Sequence, residues 1–233
     1  NYGHWVAEDL PRLKGFEEYK NKEGIEAKIL IMKDPPSWMT ETLKLLGYSE
    51  SDWYEWDQES AVISSLVVPE LYHFHSRNTD LNPCGRRWVS KNIKKNVNIN
   101  GGTELPKRIF PSRQGSGFRK IANFKEVKSV LDEFGIVPIR NEDMSVSDQV
   151  RLYSQAELIV GPFGANLTNI IFASNSSVIE IFDYDDIRPV YFVTASERGL
   201  DYAYITGEKN EGGANIFVKP EKLLSVLAFI MSQ

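Results

Sequence analysis

The 233 residues carry 42% apolar and 25% charged side chains and a formal net charge of −5, the balance of a globular chain long enough for two small domains. Lys and Arg form no dominating run to hold a polyanion, so nucleic acid is not an expected partner. The longest apolar stretches, such as Leu223 to Met231, are too short to span a bilayer.

The single cysteine, Cys84, excludes an internal disulfide framework and a cysteine-based structural zinc site. One cysteine suits a reducing compartment, so the expected location is cytoplasmic, with at most peripheral association at the inner membrane face. The chain opens at Asn1 directly in a helical pattern and without a methionine. The N-terminal domain is therefore expected to be incomplete, and any targeting segment to lie upstream.

In chain order, residues 3–22 have helical spacing with Trp5, Val6, Leu10 and Leu13 on one side. Ala27 to Met32 reads as a buried strand, and Pro35-Pro36 introduces a helix that ends near Gly47. Val62 to Val68 is the second expected strand. His73 and His75 sit two apart on an extended segment and point the same way, but no carboxylate-rich motif accompanies them and no metal is assigned. Residues 83–97 form a basic helix with Arg86, Arg87, Lys91, Lys94 and Lys95, and the polar stretch from Asn96 to Glu104 reads as a linker.

Beyond it, a strand over 107–111 leads into a loop, then into a helix capped by Asn123 and ended at Gly135. Ile136 to Ile139 is a strand, and Ser145 opens a helix with Asp148 at the capping-box spacing. Glu157 to Val160 is a strand that runs straight into the turn Gly161-Pro162-Phe163-Gly164-Ala165-Asn166. A helix over 165–172, a strand from Val178 to Phe182 and a closing amphipathic helix over 220–232 complete the pattern.

Repeated strand–helix–strand units imply an α/β fold with parallel sheets. Splitting near the linker gives two Rossmann-like domains facing a cleft, 1–100 and 105–220, with a closing helical segment over 220–233. Ligands of such sheets lie beyond the carboxyl ends of the strands. The loops to examine are therefore 112–119, 141–143, 161–169 and 182–188.

Four groups of residues bear on chemistry. Gly161, Gly164 and the small Ala165 precede a helix, where glycine admits a phosphate to the backbone and the helix N-terminus offers unpaired N–H donors. Asn166, Thr168 and Asn169 are expected to add side-chain donors, although the same spacing also serves a purely steric turn. Arg113 and Arg119 flank a Gly/Ser loop after a strand and suit bidentate binding of a diphosphate; taken alone, they read more simply as surface arginines of a solvated loop. His4 and Glu8 share a helix face and fit a general base with its orienting carboxylate, or a solvated helix start. Asp9 and Arg12, three apart, most simply form a surface ion pair, and Asp9 is the alternative to Glu8 as the carboxylate that orients His4. Glu180, in the apolar run 178–182, requires a partner: a ribose diol, a backbone group or an arginine.

The stretch from Gly161 to Asn169 resembles the G-P-H-G-A-x-L-T-N signature of glycosyltransferase family 61. Ser112-Arg113 followed by Arg119 and Asn123 resembles that family's S-R…R…N-E segment, and Asn1 to Trp5 with Pro11-Arg12-Leu13 resembles its N-x-x-H-W…P-R-L start. The resemblance implies a GT-B-like architecture and inverting transfer of a sugar from a nucleotide-sugar donor to a hydroxyl of a glycan or glycolipid acceptor. It implies no required cofactor and no essential metal. It places Arg113, Arg119, Asn123 and the segment from Gly161 through Phe163 to Asn169 at the donor, and His4 near the reacting centre. The sequence departs from the family pattern at Phe163, where the family has His, and at Phe124, where it has Glu. A binding module without turnover is one alternative. A phosphotransferase using Asp183, Asp185 and Asp186 for a metal is another.

Overall fold

Helix formation begins at the first residue, where the Asn1 side chain accepts the Gly3 N–H at 2.9 Å and caps the opening turn. The computed structural model describes residues 1–57, 59–60, 62–69, 83–209 and 215–232, in two compact units, Asn1–Asn98 and Ile99–Gln233.

In the first unit a helical run comprises α1 (Tyr2–His4), a π-helical turn (Trp5–Asp9) and α2 (Leu10–Glu23). Gly24 ends it in the left-handed conformation at φ 63°, which glycine adopts without a Cβ penalty. Val6, Leu10 and Leu13 are buried as the spacing predicts, while the Trp5 indole N–H donates to Thr42 Oγ1 at 2.8 Å. β1 (Ile29–Met32), α3 (Ser37–Leu45), β2 (Trp53–Trp56) and α4 (Pro83–Lys95) follow, and β1 pairs with β2 in parallel.

Two expectations for this unit are overturned. The run 27–32 is not buried throughout: Ile31 is, whereas Leu30 and Met32 are exposed, because side chains alternate across a strand and only one face of this two-stranded sheet is covered. Val62 to Val68 is irregular and exposed rather than a strand. The strand that pairs with β1 is instead β2, whose Trp53 is buried. His73 and His75 lie outside the described residues.

The second unit is a single parallel sheet. Its strands are β3 (Arg108–Pro111), β4 (Val137–Ile139), β5 (Leu158–Pro162), β6 (Ser177–Phe182) and β7 (Asp201–Thr206), in the spatial order β4-β3-β5-β6-β7. The helices are α5 (Phe124–Glu133), α6 (Val146–Gln155), α7 (Val190–Arg198) and α8 (Pro220–Met231). α7 and β7 were not anticipated from the sequence. α5 and α8 pack together over a core containing Phe110, Val127, Leu131, Val160, Ile179, Leu223 and Leu227. Because Leu131 is fully buried there, Leu131→Ala is expected to cost about 2–5 kcal/mol through lost burial and the cavity left behind, read as a lower urea midpoint at unchanged slope.

The strand order is what positions a site. From β3 the chain winds outward to β4, then crosses back over β3 to β5 and proceeds the other way. The direction reverses between β3 and β5, so the loops after these two strands part and leave a crevice at the carboxyl edge of the sheet. Those loops begin at Ser112 and Phe163, where the arginine segment and the glycine turn lie.

Candidate functional site

β5 is buried along its whole length and extends through Gly161 and Pro162, past the expected end at Val160. The glycine turn therefore starts inside the sheet. A Cβ on Gly161 would meet Pro111 at 3.4 Å and Leu167 at 3.3 Å, a contact between the two strands of the crevice. Gly164 then adopts φ 155°, ψ 175°, a region essentially restricted to glycine. A Cβ there would lie 2.4 Å from Arg113 Nη1, so the turn accepts no side chain while Arg113 occupies its place.

Arg113 and the turn thus adjoin. Its Nη1 lies 3.5 Å from Asn166 Oδ1, its Nη2 lies 3.5 Å from the Phe118 carbonyl, and its Nε is buried with no hydrogen-bond partner among the described residues. Burial first, and then the neighbouring Arg119 charge, lower its pKa below the ordinary guanidinium value. A cation in that setting is suited to an anion. Arg119 adopts a left-handed φ of 56°, uncommon for a residue with a Cβ, which turns its side chain over the Phe163 ring at 4.7 Å.

The segment Ala165–Phe172 is a 3₁₀ helix, where the sequence suggests an ordinary helix. The Asn166 carbonyl accepts from Tyr153 Oη at 2.8 Å and Asn141 Nδ2 at 2.9 Å, partners that compete with an α-helical ladder. Winding decides which way side chains face. Ala165 and Asn166 remain partly exposed at the crevice, with the Asn166 amide also donating to the Pro111 carbonyl. Thr168 and Asn169, expected as donor ligands, are buried instead: Thr168 Oγ1 is 3.2 Å from Tyr191 Oη, and Asn169 Nδ2 donates to Gln149 Oε1 at 2.6 Å. Tyr191 in turn donates to the Gly164 carbonyl at 2.7 Å. These groups hold the turn from behind.

Asn123 also has a structural task. Its amide donates to the Val218 carbonyl at 2.8 Å and accepts the Val218 N–H at 3.1 Å, joining the start of α5 to the segment before α8; no side-chain cap is made. Phe124 packs on the core 5.8 Å from Phe110, which accounts for an aromatic residue at that position. Phe163 is buried against Phe182 and Tyr191 and carries Arg188 as well as Arg119 on its ring, at 5.6 Å and 4.7 Å.

Glu180 finds a partner that the sequence did not suggest, the Tyr202 hydroxyl at 2.5 Å. It is fully buried, and burial raises its pKa to about 8 against the opposing effect of that hydrogen bond. Its Oε1 has no partner among the described residues, and in the sheet register it sits beside Gly161.

In the first unit, His4 Nδ1 lies 2.7 Å from Glu8 Oε1, the arrangement the i, i+4 spacing predicts. Asp9 and Arg12 make no direct ion pair: Asp9 is exposed at the surface, and partial desolvation raises its carboxyl pKa while Arg12 opposes the shift. Asp186, one of the three acidic residues considered for a metal, is bonded to Arg119 and Arg188. Among the described residues no three His, Cys, Asp or Glu side chains converge as metal ligands. Arg188 was missed because the sequence of its loop stands out by its aspartates; its position just after a strand was the available signal. No helix among the described residues is long and apolar enough to cross a membrane.

Relatives share parts of this chain. It is 40% identical over 60 residues to a beta-1,2-xylosyltransferase of Arabidopsis thaliana, covering 25% of this chain and 11% of that protein. It is 27% identical over 126 residues to the EGF domain-specific O-linked N-acetylglucosamine transferase of Gallus gallus, covering 50% of this chain and 23% of that protein. The Rattus norvegicus protein of the same name is 27% identical over 131 residues, covering 53% and 24%. The matched segments thus span under a quarter of these relatives. Residues 2–179 match the family model described as Glycosyltransferase 61, an interval that holds the His4–Glu8 pair, the arginine loop and the glycine turn. The chain therefore belongs to the glycosyltransferase 61 family.

Proposed function

We propose that this chain is the donor-binding and catalytic part of a glycosyltransferase that moves a sugar from a nucleotide sugar to a hydroxyl of a glycan or glycoconjugate. The observation that carries the reading is Arg113, a half-buried cation whose buried Nε has no partner among the described residues, set against the side-chain-free Gly164 at the switch point of a parallel sheet. Anionic leaving groups are stabilised by donors held in place before the reaction begins. Arg113, Arg119 and the backbone from Gly164 to Asn166 are such donors. Thr168, Asn169, Asn123 and Glu180 act behind them as supports.

The reaction in this reading is a single displacement with inversion, in a two-domain GT-B arrangement and with no required metal cofactor. The acceptor oxygen attacks the anomeric carbon as the bond to the diphosphate oxygen breaks. The electron pair leaves with the nucleoside diphosphate, and the acceptor proton passes to His4. Because Nδ1 faces Glu8, the base is Nε2, and Glu8 rather than Asp9 fixes the tautomer.

The relatives' names pair two sugars, so nucleotide-activated xylose and N-acetylglucosamine head the donor panel. A true donor raises the melting temperature and is consumed when acceptor is present. Stabilisation without consumption would leave a binding module, and neither effect with any donor would end the proposal. His4→Ala is expected to lower transfer roughly 10²–10⁴-fold while the donor still stabilises the protein. Wild-type transfer by that variant would remove His4 from the chemistry.

A further inference from the structure

The loop after β6 brings a third arginine to the same crevice. Arg188 lies 5.6 Å from the centroid of the Phe163 ring that also carries Arg119, so one aromatic ring positions two guanidiniums. Between them sits the Asp186 carboxylate, with Arg119 Nη2 donating to Oδ2 at 3.1 Å and Arg188 Nε donating to Oδ1 at 2.6 Å. One oxygen to each arginine is the way a phosphate would bridge them. All three side chains are partly exposed, so the bridge is reachable from solvent. Arg113 adds the third guanidinium, 5.3 Å from the Phe118 ring whose other arginine neighbour is Arg119. Glu142, which Arg113 senses, is paired with Arg140. Asp186 thus pairs with two of the three guanidiniums, while Arg113 lies next to Arg119.

We propose that Arg188 is the third cation of the diphosphate site and that Asp186 is its built-in competitor; this rests on the donor-site reading above. Asp186 occupies guanidinium N–H groups that a phosphate needs, so binding a diphosphate exchanges one anion for the other. The exchange keeps the arginines paired when no donor is held and weakens the grip on the product diphosphate. Phe163 has a positive task here: unlike the family's His at this position, it offers a ring face that never carries charge of the arginines' sign.

Inorganic pyrophosphate, which lacks base and sugar, is the probe, titrated calorimetrically at low ionic strength where such contacts are least screened. Arg188→Ala is expected to bind it roughly ten- to hundredfold more weakly than the wild type, the size of one charge-assisted bond. Asp186→Asn is expected to bind it about tenfold or more tightly, and Asp186→Ala serves as the second variant should the first fold poorly. Equal or weaker binding by the Asp186 variants, with wild-type binding still lost in Arg113→Ala, would make Asp186 a positioning residue and overturn the competitor role alone. Wild-type affinity in Arg188→Ala would remove the third cation. No pyrophosphate binding by the wild type would overturn the donor-site reading and this inference together.

Discussion

Arg113→Ala is expected to lower the turnover of sugar transfer by about two to three orders of magnitude, the effect of removing one preorganised donor to a developing anion, roughly 3–4 kcal/mol at the barrier. The magnitude follows from where Arg113 lies. Burial and the adjacent Arg119 both disfavour its charge in the protein, as its lowered pKa records, and an arriving diphosphate relieves both. In the proposed reaction, charge that accumulates on the leaving diphosphate would be met by a guanidinium already in position, with an Nε free of competing partners among the described residues. Arg113→Lys retains the charge but lacks the planar fork and is expected to recover only part of the loss. The measurement is the initial rate at saturating donor, with melting temperature recorded to exclude unfolding. Rates near wild type in Arg113→Ala would detach this arginine from the reaction.

The second large effect concerns stability rather than turnover. Glu180 is fully buried with a pKa raised from 4.5 to about 8, so the folded protein retains a proton on it that the unfolded chain releases near pH 4.5. Between those two values the native state binds more protons, and stability falls as pH rises. The contribution is fully present below about pH 4.5 and is lost as pH rises through the folded pKa. Glu180→Gln cannot ionise and should lack this slope. Its stability relative to wild type is expected to rise between pH 5 and pH 8, at up to about 1.4 kcal/mol per pH unit and by several kcal/mol in total. Urea melts of both proteins at pH 5, 6, 7 and 8 read this directly, and parallel pH curves would show Glu180 to be ionised throughout. Glu180 pairs in register with Gly161, at the root of the glycine turn.

Much of the second unit was legible in the amino-acid order. Local patterns carry it: the apolar run 157–160, the helix stop at Gly135, and the Ser145–Asp148 cap, whose hydroxyl does accept the Asp148 N–H at 3.0 Å. The glycine turn and arginine loop were legible too, because each follows a strand and uses residue types whose chemistry is local. In the first unit the same reasoning failed at Val62 to Val68. Aliphatic composition measures the tendency to be buried, while pairing with β1 went to the aromatic segment at Trp53.

By itself, then, the sequence determined that the chain is α/β, that it carries a glycine turn and an arginine loop after strands, and that His4 can reach Glu8. Those properties depend on residues a few positions apart. The tertiary structure alone decided that β3 and β5 are neighbours, which brings the arginine loop to the turn across some fifty residues, as the contact between Arg113 and Asn166 records. It also turned Thr168 and Asn169 inward to Tyr191 and Gln149, tied Asn123 to Val218, and set Asp186 between two arginines. Strand order and the facing of a side chain are settled by long-range pairing and by which distant groups compete for each donor. No local pattern carries that information.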